Sequence, residues 1–428
     1  MIPAVSDFLL PPGIDQAAIL STIRTNLHCE AEPVSESLCR YLDNFDWSLY
    51  RAGAALEERT AGARREIIWR DLAKGGAAVA SQAVDAEPGF IDAMPQGPVR
   101  DLLAPLLGIR RLLPVAEIRR REQILRVLND DDKTVTRIVL EENRVIETGQ
   151  AALAQLSLRL RLQPVRGYVR DFEDTEQRLQ RCLDLAPAQT PVFLEALASL
   201  GHRPGTYSSK LSYRLDPGQR ADAATKEILI GLFDTLEANV DGAIRNLDSE
   251  FLHDLRVATR RTRSVLSEIK AVFPQPIVDD FKARFAWLQQ VTGPVRDLDV
   301  YLLDFPNLRG CLPPPMRDHL DPLRDWLDSH YHEEQSKLAD ALKSDRFRNL
   351  QRDWRAFLGA PVPASPPADS ENAGRLVKSV ADERIRGMFK RVCREGRAIN
   401  DASPAEELHD LRKICKKLRY LMEFFQSL

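Results

Sequence analysis

The sequence predicts an α+β N-terminal half followed by an all-α half built from two pseudo-symmetric helical bundles. Three observations carry that prediction. Short strand-like runs separated by turns fill residues 40–170. From about residue 220 onward, apolar residues recur at three- and four-residue spacing. One helical segment occurs twice, 156 residues apart.

The strand-like runs are REIIWRDL (65–72), REQILRVL (121–128), TVTRIVLEE (134–142) and LSLRLRLQPV (156–165). NDDDK (129–133) reads as the hairpin turn between the second and third, because Asn and Asp tolerate turn conformations and donate or accept locally. In the second half, residues 224–247 and 280–291 carry helical periodicity. The Gly, Pro and Ser content of 201–219 marks a linker between the halves, and the proline-rich stretch 359–371 divides the helical half. The expected domains are therefore 1–200 and 220–428, the latter split into 220–358 and 372–428.

A chain of 428 residues with 44% hydrophobic content can bury a core in each half. Six widely spaced cysteines without a CxxC pair suit neither a disulfide framework nor a zinc knuckle. That usage, and the lack of a signal-like or membrane-spanning apolar run, point to a cytoplasmic protein without a membrane partner. The net charge is −3, so any affinity for a polyanion has to be local.

That local signal lies in the repeated segment. EFLHDLRVATRRTRSVL (250–266) aligns without a gap with EELHDLRKICKKLRYLM (406–422). His253 matches His409, Arg256 matches Arg412, Arg260 matches Lys416, Arg261 matches Lys417 and Arg263 matches Arg419. Asp248-Ser249 opens the first helix, and Ser403-Pro404 with Glu406 reads as a capping box opening the second. At about 100° per residue, His253, Arg256, Arg260 and Arg263 share an arc of about 80°. Leu255, Ala258, Leu266 and Ile269 fall opposite them, as do Leu411, Ile414, Leu418, Met422 and Phe425 in the second copy.

Like charges at successive turns repel, so such a stripe calls for a compensating partner, and a linear polyanion would neutralise the whole row. Phosphate is the natural choice, since Arg donates forked bonds to phosphoryl oxygens and Lys supplies point charges. Neighbouring cations are expected to depress the histidine pKa values. A solvated helix face explains one copy equally well; two copies with the same polar set favour binding. Nucleic acid is a weaker reading, because aromatic residues rarely interleave the basic ones and the chain is acidic overall.

HDLRVATRRTR, HDLRKICKKLR and GPVRDLDVYL (293–302) resemble the CHAD domain over residues 220–428. That resemblance implies helical repeats binding inorganic polyphosphate in a basic cleft. It implies phosphate contacts from His253, Arg256, Arg260, Arg261, Arg263, His409, Arg412, Lys416, Lys417 and Arg419, with Arg296 contributing, and attachment to polyphosphate granules. In the family a hairpin like Gly293–Asp299 follows each His helix; here the sequence runs only to Leu428, which implies an abbreviated or truncated second half.

DFLLPPGIDQAAI, YLDNFDWSLYRAGAALEER and LRLQPVRGYVRDF resemble the CYTH, or triphosphate tunnel, family, which implies an antiparallel β barrel with helices. The family's ExExK strand holds divalent metal and phosphate. Here Pro3, Val5 and Asp7 stand before Phe8, and Glu57 and Glu58 precede Arg59. The expectation is thus a degenerate, non-catalytic domain with no metal or cofactor, in which Arg119, Arg121, Arg126, Arg137, Arg159 and Arg161 are candidates to line a basic tunnel. A divergent metal-dependent triphosphatase is the alternative. His330 and His332 in SHYHEEQ fall on different helix faces, so they read as a solvated helix. GxxxxGK[ST], GxSxG, HExxH and GxGxxG are absent.

Overall fold

A computed structural model of the chain describes residues 5–11, 13–146 and 152–428, so Pro3 lies outside the described residues. It divides into two compact units, Met1–Tyr207 and Ser208–Leu428.

In the first unit the order is β1 (Ser6–Leu9), α1 (Gln16–Asn26), β2 (Cys29–Ala31), β3 (Ser35–Asp43), α2 (Ser48–Arg51), β4 (Ala54–Ala61), β5 (Arg64–Asp71), β6 (Ala77–Ala83) and α3 (Pro98–Leu107). There follow β7 (Leu113–Leu128), β8 (Thr134–Ile146), β9 (Ala152–Gln155), β10 (Arg159–Pro164), α4 (Val169–Cys182), β11 (Ala186–Pro187) and α5 (Val192–Ser199). The strands form one antiparallel sheet in the order β11-β1-β10-β8-β7-β3-β4-β5-β6, with β2 added to β7 and β9 to β8. The sheet curls into a half-barrel.

Alternation sorts its side chains. Leu125, Ile138, Leu140, Leu160 and Leu162 face outward under Ile19 and Ile23 of α1 and Phe172 and Leu179 of α4. On the inner face Cys39, Tyr41, Ile118 and Val145 meet Val192, Phe193, Ala196 and Leu197, so α5 plugs one end. The 129–133 turn forms as expected: the Asn129 side chain accepts from the backbone N–H of Asp131 and of Lys133, and Asp132 takes a left-handed φ of 56°.

The second unit contains α6 (Ala221–Ile244), α7 (Ser249–Glu268), α8 (Gln275–Val291), α9 (Gly293–Gly310), α10 (Asp321–Lys343), α11 (Asp345–Gly359), α12 (Val377–Ala398) and α13 (Ala405–Phe424). α6 and α7 form one hairpin and α12 and α13 another. α7 opens on Asp248, whose carboxylate accepts from the N–H groups of Glu250 and Phe251, as the sequence predicts. α13 opens differently. The capping box does not form: Pro404 is the cap residue without a side-chain bond, and the Ser403 hydroxyl donates to Glu407 rather than accepting from the helix. The reason is register, since a helix that begins at Ala405 carries Ser403 out of reach of its first free N–H groups.

The two hairpins are related by the 156-residue repeat. Arg220 and Leu376, equivalent positions, bridge each other. The Ala221 N–H donates to the Arg375 carbonyl at 2.8 Å, and the Val377 N–H donates to the Gln219 carbonyl at 2.9 Å. Each bond is the other shifted by 156 residues, which defines a pseudo-twofold axis through this point.

Candidate functional site: a pair of basic helices and a charged half-barrel

α7 and α13 cross antiparallel near their C-terminal halves. The Arg260 Nε donates to the Tyr420 hydroxyl at 2.8 Å, Arg261 pairs with Glu423 at 2.9 Å, and Lys417 pairs with Glu268 at 2.8 Å. Arg261 and Lys417 are repeat counterparts, so the axis passes between these contacts. His253 and His409 each lie eight positions before the counterparts Arg261 and Lys417 that make these contacts, or about 12 Å along their helices. The two basic stripes therefore run away from the crossing in opposite directions.

Leu255, Ala258, Leu266 and Ile269 are buried as predicted, and so are Ile414 and Phe425. Met422 corrects the reading of the second helix: it is 55% exposed, while Tyr420, Leu421 and Phe424 are buried in its stead. In α7 the equivalent Leu266 lies under a cover of further helices that α13 lacks among the described residues.

The predicted cations fall into two groups. Arg256 is tied down: its Nη1 donates to the Gln289 carbonyl at 2.9 Å and to the Thr292 hydroxyl at 2.8 Å, at the C-terminus of α8, where carbonyls attract a cation. Arg260, Arg261 and Lys417 are held at the crossing, and Arg419 lies over Tyr420 and pairs with Glu423 at 3.3 Å. Arg296, from the first turn of α9, approaches the Ser249 carbonyl at 3.5 Å and Glu250 and Asp299 at 3.9 Å. Arg263, Arg412 and Lys416 engage no hydrogen bond or ion pair among the described residues.

His253 is half-buried, and burial lowers its pKa first. Arg296 and Arg260 add to the lowering, and Glu250 and Asp254 oppose it. The direction matches the sequence expectation; the leading cause is desolvation rather than neighbouring charge. Glu250, His253 and Asp254 bring ligand atoms within 4.8 Å of one another, the one such cluster among the described residues. Sequence reading missed it, although the i, i+3, i+4 spacing was visible. Arg296 already supplies positive charge there. His330 of SHYHEEQ stacks on Trp326 and lies 3.7 Å from Glu333, an ordinary helix-surface arrangement.

The inner face of the half-barrel is also charged. Glu57 is fully buried and bonded by Arg120 at 2.8 Å, Arg70 at 2.7 Å and Arg59 at 3.0 Å. Glu141 accepts from Asn143 at 2.7 Å and lies 3.3 Å from Arg161 and 3.4 Å from Arg120. Asp7 sits 3.5 Å from both Arg159 and Arg161, and Arg159 also binds Glu195 at 2.8 Å. Burial would raise Glu57 and Glu141, yet the arginines outweigh it, holding Glu57 well below its ordinary value and Glu141 at about 2. Each of these carboxylates is bracketed by guanidiniums, so the donor set does not fit a divalent cation. Beside them opens a cavity of about 710 Å³ whose lining includes Arg59, Arg70, Lys74, Arg161, Glu66 and Glu122.

Of the predicted tunnel arginines, Arg159 and Arg161 face inward. Arg119, Arg121 and Arg137 are exposed, and Arg126 pairs with Glu30 at an edge. The inward arginine of β7 is Arg120, one residue away, because a one-residue step in a strand moves a side chain to the other face. Glu58 points outward, to Arg40 and Arg65.

The CHAD domain family matches residues 227–428, all but the first 19 residues of the second unit. The chain is similar to the CHAD domain of the plant Ricinus communis, with 24% identity, 51% of this chain and 70% of that one covered, and a TM-score of 0.41. It is similar to PptA from Streptomyces chartreusis, with 15% identity, 49% and 76% covered and a TM-score of 0.38. HpAC1 from Hippeastrum, described as having a dominant triphosphatase activity, shows 13% identity, 48% and 99% covered and a TM-score of 0.31. No curated protein matches the sequence. Among the described residues no helix is long and apolar enough to cross a membrane.

Proposed function

We propose that the second unit binds inorganic polyphosphate along the two basic helices. The observation that carries this reading is the set of cations without a hydrogen-bond or ion-pair partner among the described residues, Arg263, Arg412 and Lys416, placed on helices related by the pseudo-twofold axis. His253, Arg256, Arg260, Arg296, His409 and Arg419 border them, while Arg261 and Lys417 chiefly hold the crossing. Such a row of cations releases the counterions condensed on a polyanion, so affinity falls steeply with salt. Titration of the chain with long-chain polyphosphate at rising salt tests this. Arg263→Ala, Arg412→Ala and Lys416→Ala together are expected to lower affinity by at least tenfold and flatten the salt slope; an unchanged isotherm overturns the reading. DNA or RNA that outcompetes polyphosphate at equal charge would favour the nucleic-acid alternative.

In this reading the half-barrel is a non-catalytic scaffold, supported by the arginine-bracketed carboxylates of its interior. The competing reading is a divergent triphosphatase, and phosphate release from tripolyphosphate that a chelator abolishes would establish it. The cellular expectation that follows is a cytoplasmic protein concentrated on polyphosphate granules.

A further inference from the structure

One edge of the half-barrel is closed to strand pairing and the other is open. At the closed edge β11 is two residues long and ends in Pro187, and the Ala188 N–H donates to the Asp7 carbonyl at 2.9 Å. At the other, β6 reads AAVASQA, with neither a charged residue nor a proline to discourage pairing, and the sheet ends there among the described residues. Val79 is a bulge, because Ala78 and Ala80 pair with the successive residues Arg70 and Trp69, so the regular edge runs over 80–84.

The ladder fixes which groups are free. The Val84 N–H donates to the Arg65 carbonyl at 3.1 Å, so by antiparallel alternation Gln82 and Ala80 turn their backbone groups to β5, while Ser81 and Ala83 turn theirs outward. Those outward groups meet no backbone partner among the described residues. β6 is also held from behind, where the Gln82 side chain donates to the Pro95 carbonyl at 2.7 Å and accepts from the Val99 N–H at 3.2 Å. The template is therefore preformed.

Ser81 lines the cavity of about 710 Å³, together with Ala78 of β6 and, from the other end of the sheet, Asp7 and Ala188. A strand added at β6 thus turns alternate side chains into that cavity. Its cations are engaged: Arg59 and Arg70 by Glu57, Arg161 by Glu141 and Lys74 by Asp71. Its spare groups are carboxylates. Glu122 makes no ion pair or hydrogen bond among the described residues, Glu66 meets only the exposed Arg64 at 3.5 Å, and Asp7 Oδ1 is buried without a hydrogen-bond partner. Glu66 pairs with Ala83 across the ladder, so a residue added opposite Ala83 stands two strand spacings, about 10 Å, from it, a gap that a lysine and a glutamate side chain span together. On the outer face Ala80 packs against the apolar cluster of Ile67, Val99 and Leu103.

We infer that the first unit docks an extended segment of a partner protein, added as a strand to β6, whose basic side chains enter the half-barrel and alternate with apolar ones on the outer face. A second copy of β6 fits less well, because it offers only Ala78, Ser81 and Ala83 toward the cavity and leaves Glu66 and Glu122 unmet.

The full chain tests this by fluorescence anisotropy with labelled seven-residue peptides at about 150 mM salt, where distant surface charges are screened. A peptide alternating lysine and valine is expected to bind with a Kd on the order of 50 µM, and one alternating glutamate and valine at least tenfold more weakly. N-methylation of every amide of the lysine peptide keeps its charge, removes its backbone donors and should weaken binding at least tenfold. Ser81→Pro, which deletes an outward N–H that β5 does not use, should do the same with Trp69 fluorescence unchanged; if it disturbs the fold, the methylated peptide decides on the wild-type chain. Glu66→Gln/Glu122→Gln should abolish the preference for lysine over glutamate. No binding of the lysine peptide at about 1 mM overturns the inference, as does equal affinity of the wild type for the two peptides. Binding that survives methylation is charge attraction elsewhere on the chain and overturns it too. A wild-type dimer that Ser81→Pro converts to a monomer assigns the edge to a second copy and overturns it equally.

Discussion

Arg261 reaches Glu423 at 2.9 Å, and its repeat counterpart Lys417 reaches Glu268 at 2.8 Å. α7 and α13 thus clasp each other with equivalent residues, and part of the repeated basic motif is spent on folding. The half-buried cations at the crossing and the free ones beyond it should respond differently to mutation.

Lys417→Met leaves the buried Glu268 carboxylate without its closest cation and should cost about 1 kcal/mol, discounted from a buried pair because Lys417 is partly exposed. Lys416→Ala, one residue away and without an ion pair among the described residues, should change stability by less than about 0.5 kcal/mol while weakening polyphosphate binding. Denaturant unfolding and polyphosphate titration of the two variants check the pair. Equal losses of stability would show that the motif does not divide in this way.

The interior of the half-barrel makes the first unit acid-sensitive. Glu57 and Glu141 have depressed pKa values in the fold, so their contribution is present above the ordinary glutamate value near 4.5 and is lost as pH falls through the folded values. The unit is expected to unfold between about pH 4.5 and 2, followed by tryptophan fluorescence at Trp47 and Trp69. Arg120→Met, which takes one buried partner from both carboxylates at once and leaves Glu57 to Arg70 and Arg59 and Glu141 to Arg161, should cost roughly 3 kcal/mol at pH 7 and move the acid transition to higher pH.

Much of this architecture is legible in the sequence because it rests on local signals. Periodicity marks α6 and α8, Asn129 marks its turn, and the ungapped repeat marks α7 and α13. The repeat also reaches back to α6 and α12, where Gly231-Leu232-Phe233 recurs as Gly387-Met388-Phe389, a signal available but overlooked. What the sequence hides is set by tertiary neighbours. Arg120 and Arg119 are indistinguishable until the register of β7 assigns one to the interior. The bond of the Arg256 Nη1 to the end of α8 is likewise set by a neighbour distant in sequence, and Met422, which the periodicity places with the core, is 55% exposed.

Asp299 should give the second unit an opposite pH response. Burial raises its pKa to about 6, Arg296 opposes that, and the Tyr331 hydroxyl lies against it while also donating to Asn246. A carboxyl that holds its proton more tightly when folded favours the fold at low pH, and that contribution is lost as pH rises from about 4 through 6. Asp299→Asn removes the buried charge and should stabilise the unit by roughly 1–3 kcal/mol at pH 7.5 while having little effect at pH 4. Thermal unfolding at the two pH values reads this directly, and a variant destabilised at both would mean that the carboxylate is needed by Arg296.

Under the proposed polyphosphate binding, His253 is expected to couple acidity to affinity. In the free protein burial holds its pKa below the ordinary value near 6.5, so folding favours the neutral ring, and its contribution to stability is present above that value and lost as pH falls below it. A polyanion beside the ring reverses the preference, because negative charge favours the imidazolium. Binding should therefore take up a proton at His253, and affinity should rise as pH falls from 7.5 to 5.5 even as the fold weakens. His253→Gln keeps a polar side chain without a titrating ring and should remove part of the gain while leaving affinity at pH 7.5 within about threefold, less than the loss of a full charged contact. Calorimetric titrations in two buffers of different ionisation enthalpy count the protons. An unchanged proton count in the variant would assign the pH dependence to groups other than His253.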